Sequence, residues 1–464
     1  MTRIWIDIDD LFQYAASGVP RPSGIQRVVF ELCQALVARW GDGNRLGFVR
    51  HDPPRNGFMV VDWSEAAALF EALTTEPAAS TRRASPAIVS DSALRRRLKR
   101  AAYRLPDAIR LPLLRMVRAQ LQVFREILAL GRGLRGSGRA RQKEVVQQGR
   151  DFAEVVRPGD IFLAPGSPWG HPDYAGLLRG LQQRHGARTV VLIYDIIPAR
   201  HPEWCDRGLV RLFRPWLDGV LPVADSLMAI SRATAEDVAS YARRRGIHLN
   251  GPVSIVPMGS GFGAAQPDSA APSPRLPTPG SYVLFVSTIE PRKNHVLLMR
   301  VWQRLLNEMP VAAVPTLVFA GRVGWLVADL MQQLDNTDWL DGRIVLVQDP
   351  SDAELAALYR GCLFTVFPSL YEGWGLPVTE SLAFGKPCIA SNVSAVPEAG
   401  GALTRYFDPE CVADATRVIR AVIEDRAGLA EWEERVRREF RPEPWAAAAD
   451  ALVAALRQEA AAAG

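Results

Sequence analysis

The chain is poor in the residues that organise several common kinds of protein. Its five cysteines (Cys33, Cys205, Cys362, Cys388 and Cys411) are scattered, odd in number and never spaced as Cys-x-x-Cys. That argues against a disulfide framework and a thiolate zinc site, and it fits a reducing, cytoplasmic setting. With only six histidines, no metal-ligand cluster and no Ser-His-Asp set can be recognised, and no Walker loop is present. No stretch approaches the roughly 18 consecutive apolar residues of a membrane span. The N-terminus, Met1-Thr-Arg-Ile-Trp-Ile-Asp-Ile-Asp-Asp10, enters a strand-like alternation rich in carboxylates, unlike a secretory leader. A Gly-x-Gly-x-x-Gly placed after a strand, the mark of an NAD-dependent oxidoreductase, is also missing.

What remains is an ordinary globular composition, 48% hydrophobic with a mean hydropathy near zero, in 464 residues. That length exceeds what one hydrophobic core normally organises, so two domains are expected. The formal charge of +5 is unevenly spread. Between Arg82 and Lys143, seventeen Lys/Arg face three acids, an excess of fourteen that leaves the rest of the chain at minus nine.

The N-terminal stretch opens with a buried-strand pattern (Ile4, Ile6, Ile8), then a loop with Pro20, Pro22 and Gly24, then an apolar-periodic helix from Ile25 to about Trp40. The basic segment follows as an insertion at about 76–150, with helical patches at Leu94–Tyr103 and Leu111–Leu130. From about 158, short apolar runs alternate with helical segments, with strands expected at Ile161–Ala164, Thr189–Tyr194, Ser226–Ser231 and Val253–Pro257. Such alternation predicts a parallel sheet covered on both faces. Residues 266–280, too rich in proline for helix or sheet, read as the linker between a first domain (1–265) and a second (281–443). Strands are expected in the second domain at Tyr282–Val286, Thr316–Ala320, Arg343–Val347 and Phe364–Phe367. Helices are expected near His295–Asn307 and Asp352–Arg360 and after Pro377. The segment 444–464 begins with a proline well placed to start a helix, and it is expected to return to the first domain. Two doubly wound sheets would turn their strand C-termini toward one crevice, where ligands bind in open α/β folds.

The sharpest chemical signal is Ser369-Leu-Tyr-Glu-Gly-Trp-Gly-Leu-Pro-Val-Thr-Glu380, which leaves an apolar strand and passes through two glycines into a proline-started helix. Glycines let the backbone approach a ligand, and the helix N-terminus offers unpaired N–H groups to an anion. Glu372 and Glu380 can face one bound molecule, and carboxylates accept hydrogen bonds from neutral hydroxyls, which suits a sugar or ribose. A second segment, Val286-Ser-Thr-Ile-Glu-Pro-Arg-Lys-Asn-His295, presents adjacent cations, Arg292 and Lys293, suited to a diphosphate leaving group.

These two stretches resemble the signature of family 4 glycosyltransferases, retaining enzymes of the GT-B fold, in which two Rossmann-like doubly wound domains face a central cleft. The resemblance is close from about 281 to 445 and weaker before. It implies sugar contacts at Glu372, Gly373, Trp374 and Gly375, donor contact also at Leu376, ribose contact at Glu380, and phosphate contact at Lys293 and Arg292. An arginine usually found five positions before the lysine is Thr288 here, so one phosphate contact is lost or Arg292 supplies it. Phe319-Ala-Gly-Arg-Val-Gly-Trp325 resembles a loop lining the donor cleft, with Arg322 a phosphate or base neighbour. Pro22-Ser-Gly-Ile-Gln-Arg27 resembles the glycine loop near donor phosphate and acceptor, with Gly24 its single glycine. Tyr194-Asp195 stands where relatives often carry His-Asp; Asp195, a catalytic candidate, orients the acceptor or polarises its hydroxyl, or merely caps a turn, and His201 reads as surface or packing. Ser231-Arg232 resembles a cleft-lining turn that caps the next helix, and Ala395–Gly401 reads as mainly structural.

The resemblance implies transfer of a hexose or deoxyhexose, GDP-mannose favoured, from a nucleotide sugar to a glycan or lipid-linked acceptor in surface-polysaccharide synthesis. It implies no metal and no other cofactor, because side-chain cations and helix dipoles take the leaving-group charge. A non-hydrolysing sugar-nucleotide epimerase of the same architecture would need further acidic or histidine bases around the sugar. The basic segment lacks the interleaved aromatics of a nucleic-acid reader, so no nucleic acid is expected. It is either a solvated insertion or a surface for anionic membrane, which would make the protein peripheral at the inner face of the membrane.

Overall fold

Continuous apolar runs make the strands, because a parallel strand covered on both faces buries every side chain. All residues of Ile161–Ala164, Ser226–Ala229 and Cys388–Ser391 are buried, with no polar alternation. The structure, a computed structural model, describes residues 2–16, 24–41, 45–74, 149–259, 273 and 275–462. The basic segment 82–143, the loop before Gly24 and most of the proline-rich half of the linker lie outside the described residues.

The first domain holds β1 (Ile4–Asp7), β2 (Leu46–Asp52), β3 (Gly57–Val61), β4 (Ile161–Ala164), β5 (Arg188–Ile193), β6 (Ser226–Ala229) and β7 (Ser254–Ile255) in the order β3-β2-β1-β4-β5-β6-β7. All neighbours are parallel except the β2–β3 hairpin, an edge pair that the sequence pattern did not anticipate. The second domain holds β8 (Tyr282–Val286), β9 (Thr316–Gly321), β10 (Ile344–Gln348), β11 (Thr365–Phe367), β12 (Cys388–Ser391) and β13 (Arg405–Phe407), all parallel, in the order β10-β9-β8-β11-β12-β13. Both sheets are doubly wound, as the alternation predicts. Chain order reverses between β1 and β4 in the first sheet and between β8 and β11 in the second. Those two switch points open crevices at the strand C-termini.

Helix ends are fixed locally. Ser231 accepts from the Thr234 N–H to start Arg232–Arg245, and Ser351 with Glu354 forms a capping box on Asp352–Gly361. Apolar clusters fill both faces of each sheet. The helix Trp445–Ala462 returns to the first domain, where it packs on Gly24–Trp40 and adds Ala449, Leu452, Val453 and Leu456 to that core. The Trp445 ring lies directly over Gly259 at the end of the first domain. Burial of each large apolar side chain there stabilises the returned helix by about 1.5–3 kcal/mol. Residues Met1–Thr74 and Arg150–Gly464 thus form one compact unit.

Candidate active site

The loops leaving β8 and β11 meet at the second switch point. A short turn, Pro291–Lys293, precedes the helix His295–Glu308 and carries Arg292 and Lys293. Asn294, in the left-handed region at φ 59°, donates its side-chain amide to the carbonyls of Pro368 (3.2 Å) and Pro409 (2.9 Å), and the Leu370 N–H donates to the Arg292 carbonyl (2.9 Å). These bonds fix one loop against the other.

Glu372 is buried between the two cations. Lys293 Nζ donates to its Oε1 at 2.5 Å, and an Arg292 guanidinium nitrogen lies 2.6 Å from its Oε2. Arg292 also donates to Glu290 Oε1 (2.8 Å) and to the Tyr371 carbonyl (2.7 Å). Burial pushes the Glu372 carboxyl up, but Arg292 and Lys293 outweigh it and hold the pKa at about 2. Burial and the charge of Arg292 pull Lys293 below the usual lysine value, against the opposing charge of Glu372 2.5 Å away. Burial also acts against the Arg292 charge, yet Glu372, Glu290 and Asp195 together raise its pKa. The two cations are paired with two carboxylates, Glu372 and Glu290.

Asp195 faces the same constellation from the first domain. Its Oδ1 accepts from the Ile197 N–H at 2.9 Å, so it caps a turn. It also lines a cavity with Arg292, and burial raises its pKa against the opposing charge of Arg292. Gly373 passes so close to this loop that a Cβ there would lie 2.1 Å from the Tyr194 carbonyl oxygen and 3.0 Å from Asp195 Cβ. Any side chain at 373 would force the two domains apart. Gly375 adopts φ 127°, and the helix Leu376–Ala383 starts beside it. Trp374 and Leu376 pack against the core of the first domain, Leu376 reaching within 3.8 Å of where a Gly24 side chain would begin. Glu380 accepts from the Tyr359 hydroxyl (2.7 Å), and burial raises its pKa. Thr288 is half-buried against Gly324. Arg322 lies 3.9 Å from Asp349 and bonds Tyr14 of the first domain. Its placement is apart from the Lys293–Glu372 pair in hydrogen-bonding terms.

Sequence reasoning missed several contributors. Glu398, on a segment read as structural, accepts from the Arg232 and Ala233 N–H groups (2.9 Å each), so its carboxylate closes the N-terminus of Arg232–Arg245 from the other domain. A glutamate after a proline in a short helix gives no hint of a partner 166 residues away. Tyr371 donates to Asp237 across the same boundary (2.6 Å), and Arg27 pairs with Asp352 (2.5 Å). Beside Asp195 and Arg292, an aromatic cavity of about 170 Å³ is walled by Trp169, Trp204, Phe213, Trp216 and Trp325. His201 stacks on Trp204 (4.3 Å between centroids), the packing role its sequence suggests.

Fold and site together define a two-domain doubly wound α/β protein with a partly buried Arg-Lys-Glu constellation at its second switch point. Residues 268–439 match the family model described as glycosyl transferases group 1. The serotype-specific mannosyltransferase WbdA of Escherichia coli is 29% identical over 244 residues, covering 50% of this chain and 29% of that one. The O-antigen chain mannosyltransferase B of Escherichia coli is 33% identical over 145 residues, 31% of this chain and 37% of that protein. The chain therefore spans well under half the length of both relatives. Among solved structures, an α,α-trehalose 6-phosphate synthase from Burkholderia multivorans aligns at 17% identity and a TM-score of 0.49, covering 68% of this chain and 75% of that one.

Proposed function

We propose that the protein is a retaining glycosyltransferase that moves a hexose or deoxyhexose, GDP-mannose favoured as donor, to a glycan or lipid-linked acceptor. The Arg292–Lys293–Glu372 constellation carries the reading. Two cations held at a switch point, on a loop pinned by Asn294, are preorganised for the charge of a departing diphosphate. Because Glu372 pairs with both of them in this structure, an arriving diphosphate competes with it for Lys293 and Arg292. Displaced, the carboxylate turns to the hydroxyls of the transferred sugar, which approach past Gly373–Gly375. Glu380 holds the ribose. The names of the mannosyltransferase relatives support the donor class and a place in surface-polysaccharide synthesis.

Substitution proceeds on one face with retained anomeric configuration. The donor phosphate takes the acceptor proton while the protein positions both reactants. No metal takes part in this account, since the leaving-group charge falls on side-chain cations. The segment 82–143, by its charge alone, faces an anionic membrane surface from the cytoplasmic side; among the described residues no helix is long and apolar enough to cross a membrane. The deciding experiment is a panel of nucleotide sugars assayed for release of nucleoside diphosphate. Release from at least one donor is expected, and inertness toward all of them would remove the reading.

A further inference from the structure

The first switch point carries its own constellation. The C-terminus of β1 supplies Asp7, the helix Asp9–Ala16 supplies Asp9, Asp10 and Gln13, and the end of β2 supplies His51. The loop after β4 supplies Ser167 and His171. Together they line a cavity of about 20 Å³, room for roughly one water-sized group.

Its polar groups are largely spoken for. Tyr174 donates to Asp7 Oδ2 at 2.6 Å, Gln13 donates to Asp9 at 2.5 Å, and Ser167 makes a long 3.4 Å bond to Asp10 Oδ2. His171 Nδ1 accepts from the Asp173 N–H (3.0 Å), so in the neutral ring its Nε2 carries the proton and donates to His51 Nε2 at 2.8 Å. One buried atom stands apart. Asp10 is 9% exposed, and its Oδ1 has no hydrogen-bond partner among the described residues. A buried unpaired carboxylate oxygen costs free energy unless something binds it. Gly166 packs flat on this carboxyl, leaving no room for a side chain between them.

We propose that this acidic niche at the β1/β4 switch point receives a hydroxyl group of the saccharide acceptor, with Asp10 as the group that binds it. The inference rests on the glycosyltransferase reading, which puts the donor at the other switch point. The niche adjoins that site through one loop: Gly166 and Ser167 face the niche, and Trp169, three residues on from Gly166, walls the aromatic cavity that ends at Asp195 and Arg292. Burial pushes Asp7 and Asp10 up to about 7, with the charge of Asp9 adding to it. At neutral pH such carboxyls donate as well as accept, which matches a hydroxyl better than a cation.

The test is ligand-observed NMR titration of the full chain with methyl glycosides of mannose, galactose, glucose and rhamnose. Wild-type protein should bind at least one, and Asp10→Ala should weaken that binding about tenfold or more, the loss typical of a hydrogen bond to a carboxylate. GDP and UDP affinity should stay unchanged in the same variant. Should the Asp10 variant fail to fold, Gln13→Trp, on the exposed rim, blocks the niche and should show the same loss. Glycoside binding unaffected by either variant overturns the niche, as does wild-type protein that binds none of the glycosides or that binds magnesium or ammonium there instead. These results are separable from failure of the glycosyltransferase reading, which shows as absent turnover of every nucleotide sugar.

Discussion

Replacing Glu372 with glutamine tests the electrostatics of the constellation quantitatively, because the amide mimics a protonated carboxyl and removes only the charge. The folded protein holds this carboxyl at about 2, against an ordinary value of 4.5. That difference corresponds to about 3 kcal/mol of stability at pH 7, since each unit is worth roughly 1.4 kcal/mol. The loss expected on breaking a buried ion pair, about 3–5 kcal/mol, is of the same size. The sign follows from the depressed value: the contribution is complete above the unfolded pKa near 4.5 and disappears as pH falls toward 2. Glu372→Gln should therefore be about 3 kcal/mol less stable at pH 7 and only about 1 kcal/mol less stable at pH 3. In urea the pH 7 midpoint should drop by about 1–3 M for the second domain. GDP affinity should not fall, because the carboxylate that competes for Lys293 has gone. Equal urea midpoints at pH 7, or a difference that does not shrink at pH 3, would refute the reasoning.

Glu380→Ala should weaken nucleoside diphosphate binding by about 1–3 kcal/mol if, as proposed, its carboxylate accepts from the ribose hydroxyls; calorimetry that finds no change counts against that assignment. Turnover should survive exhaustive EDTA treatment, and a complete loss restored by magnesium or manganese would point to a metal-dependent transferase. Exchanging the arginines of 82–143 for glutamine should abolish salt-sensitive binding to anionic liposomes and spare nucleotide binding. Parent protein that ignores such liposomes at low salt would leave the segment a solvated insertion.

Elements with an unbroken apolar run and a clear boundary were legible: Tyr282–Val286 and Ile161–Ala164 stand where the pattern puts them. The β2–β3 hairpin was not, because Arg50, His51 and two prolines interrupt a short run whose last residues are only half-buried. At the second switch point, Arg292, Lys293 and Glu372 were recognisable from residue type and spacing. Their mutual pairing was not, since 79 residues separate Lys293 from Glu372 and no local pattern encodes the contact. The acidic niche was invisible for the same reason. Asp7, Asp9 and Asp10 read as a polar start to the chain until the sheet order brings them beside Ser167 and His171. Glu398 shows the limit from the other side: its partner is a helix N-terminus, and a backbone has no sequence signature.

The most direct test of the central claim compares wild type with Lys293→Ala, using the donor that the nucleotide-sugar panel identifies. Charge builds on the diphosphate only as the glycosidic bond breaks, so the ammonium at 293 should matter more in the transition state than in the ground state. Steady-state release of nucleoside diphosphate should show kcat reduced about a hundredfold or more, the loss typical of a preorganised donor. Donor KM should change little, because Arg292 still holds the bound diphosphate. A raised KM with unchanged kcat would make Lys293 a binding residue and contradict the account.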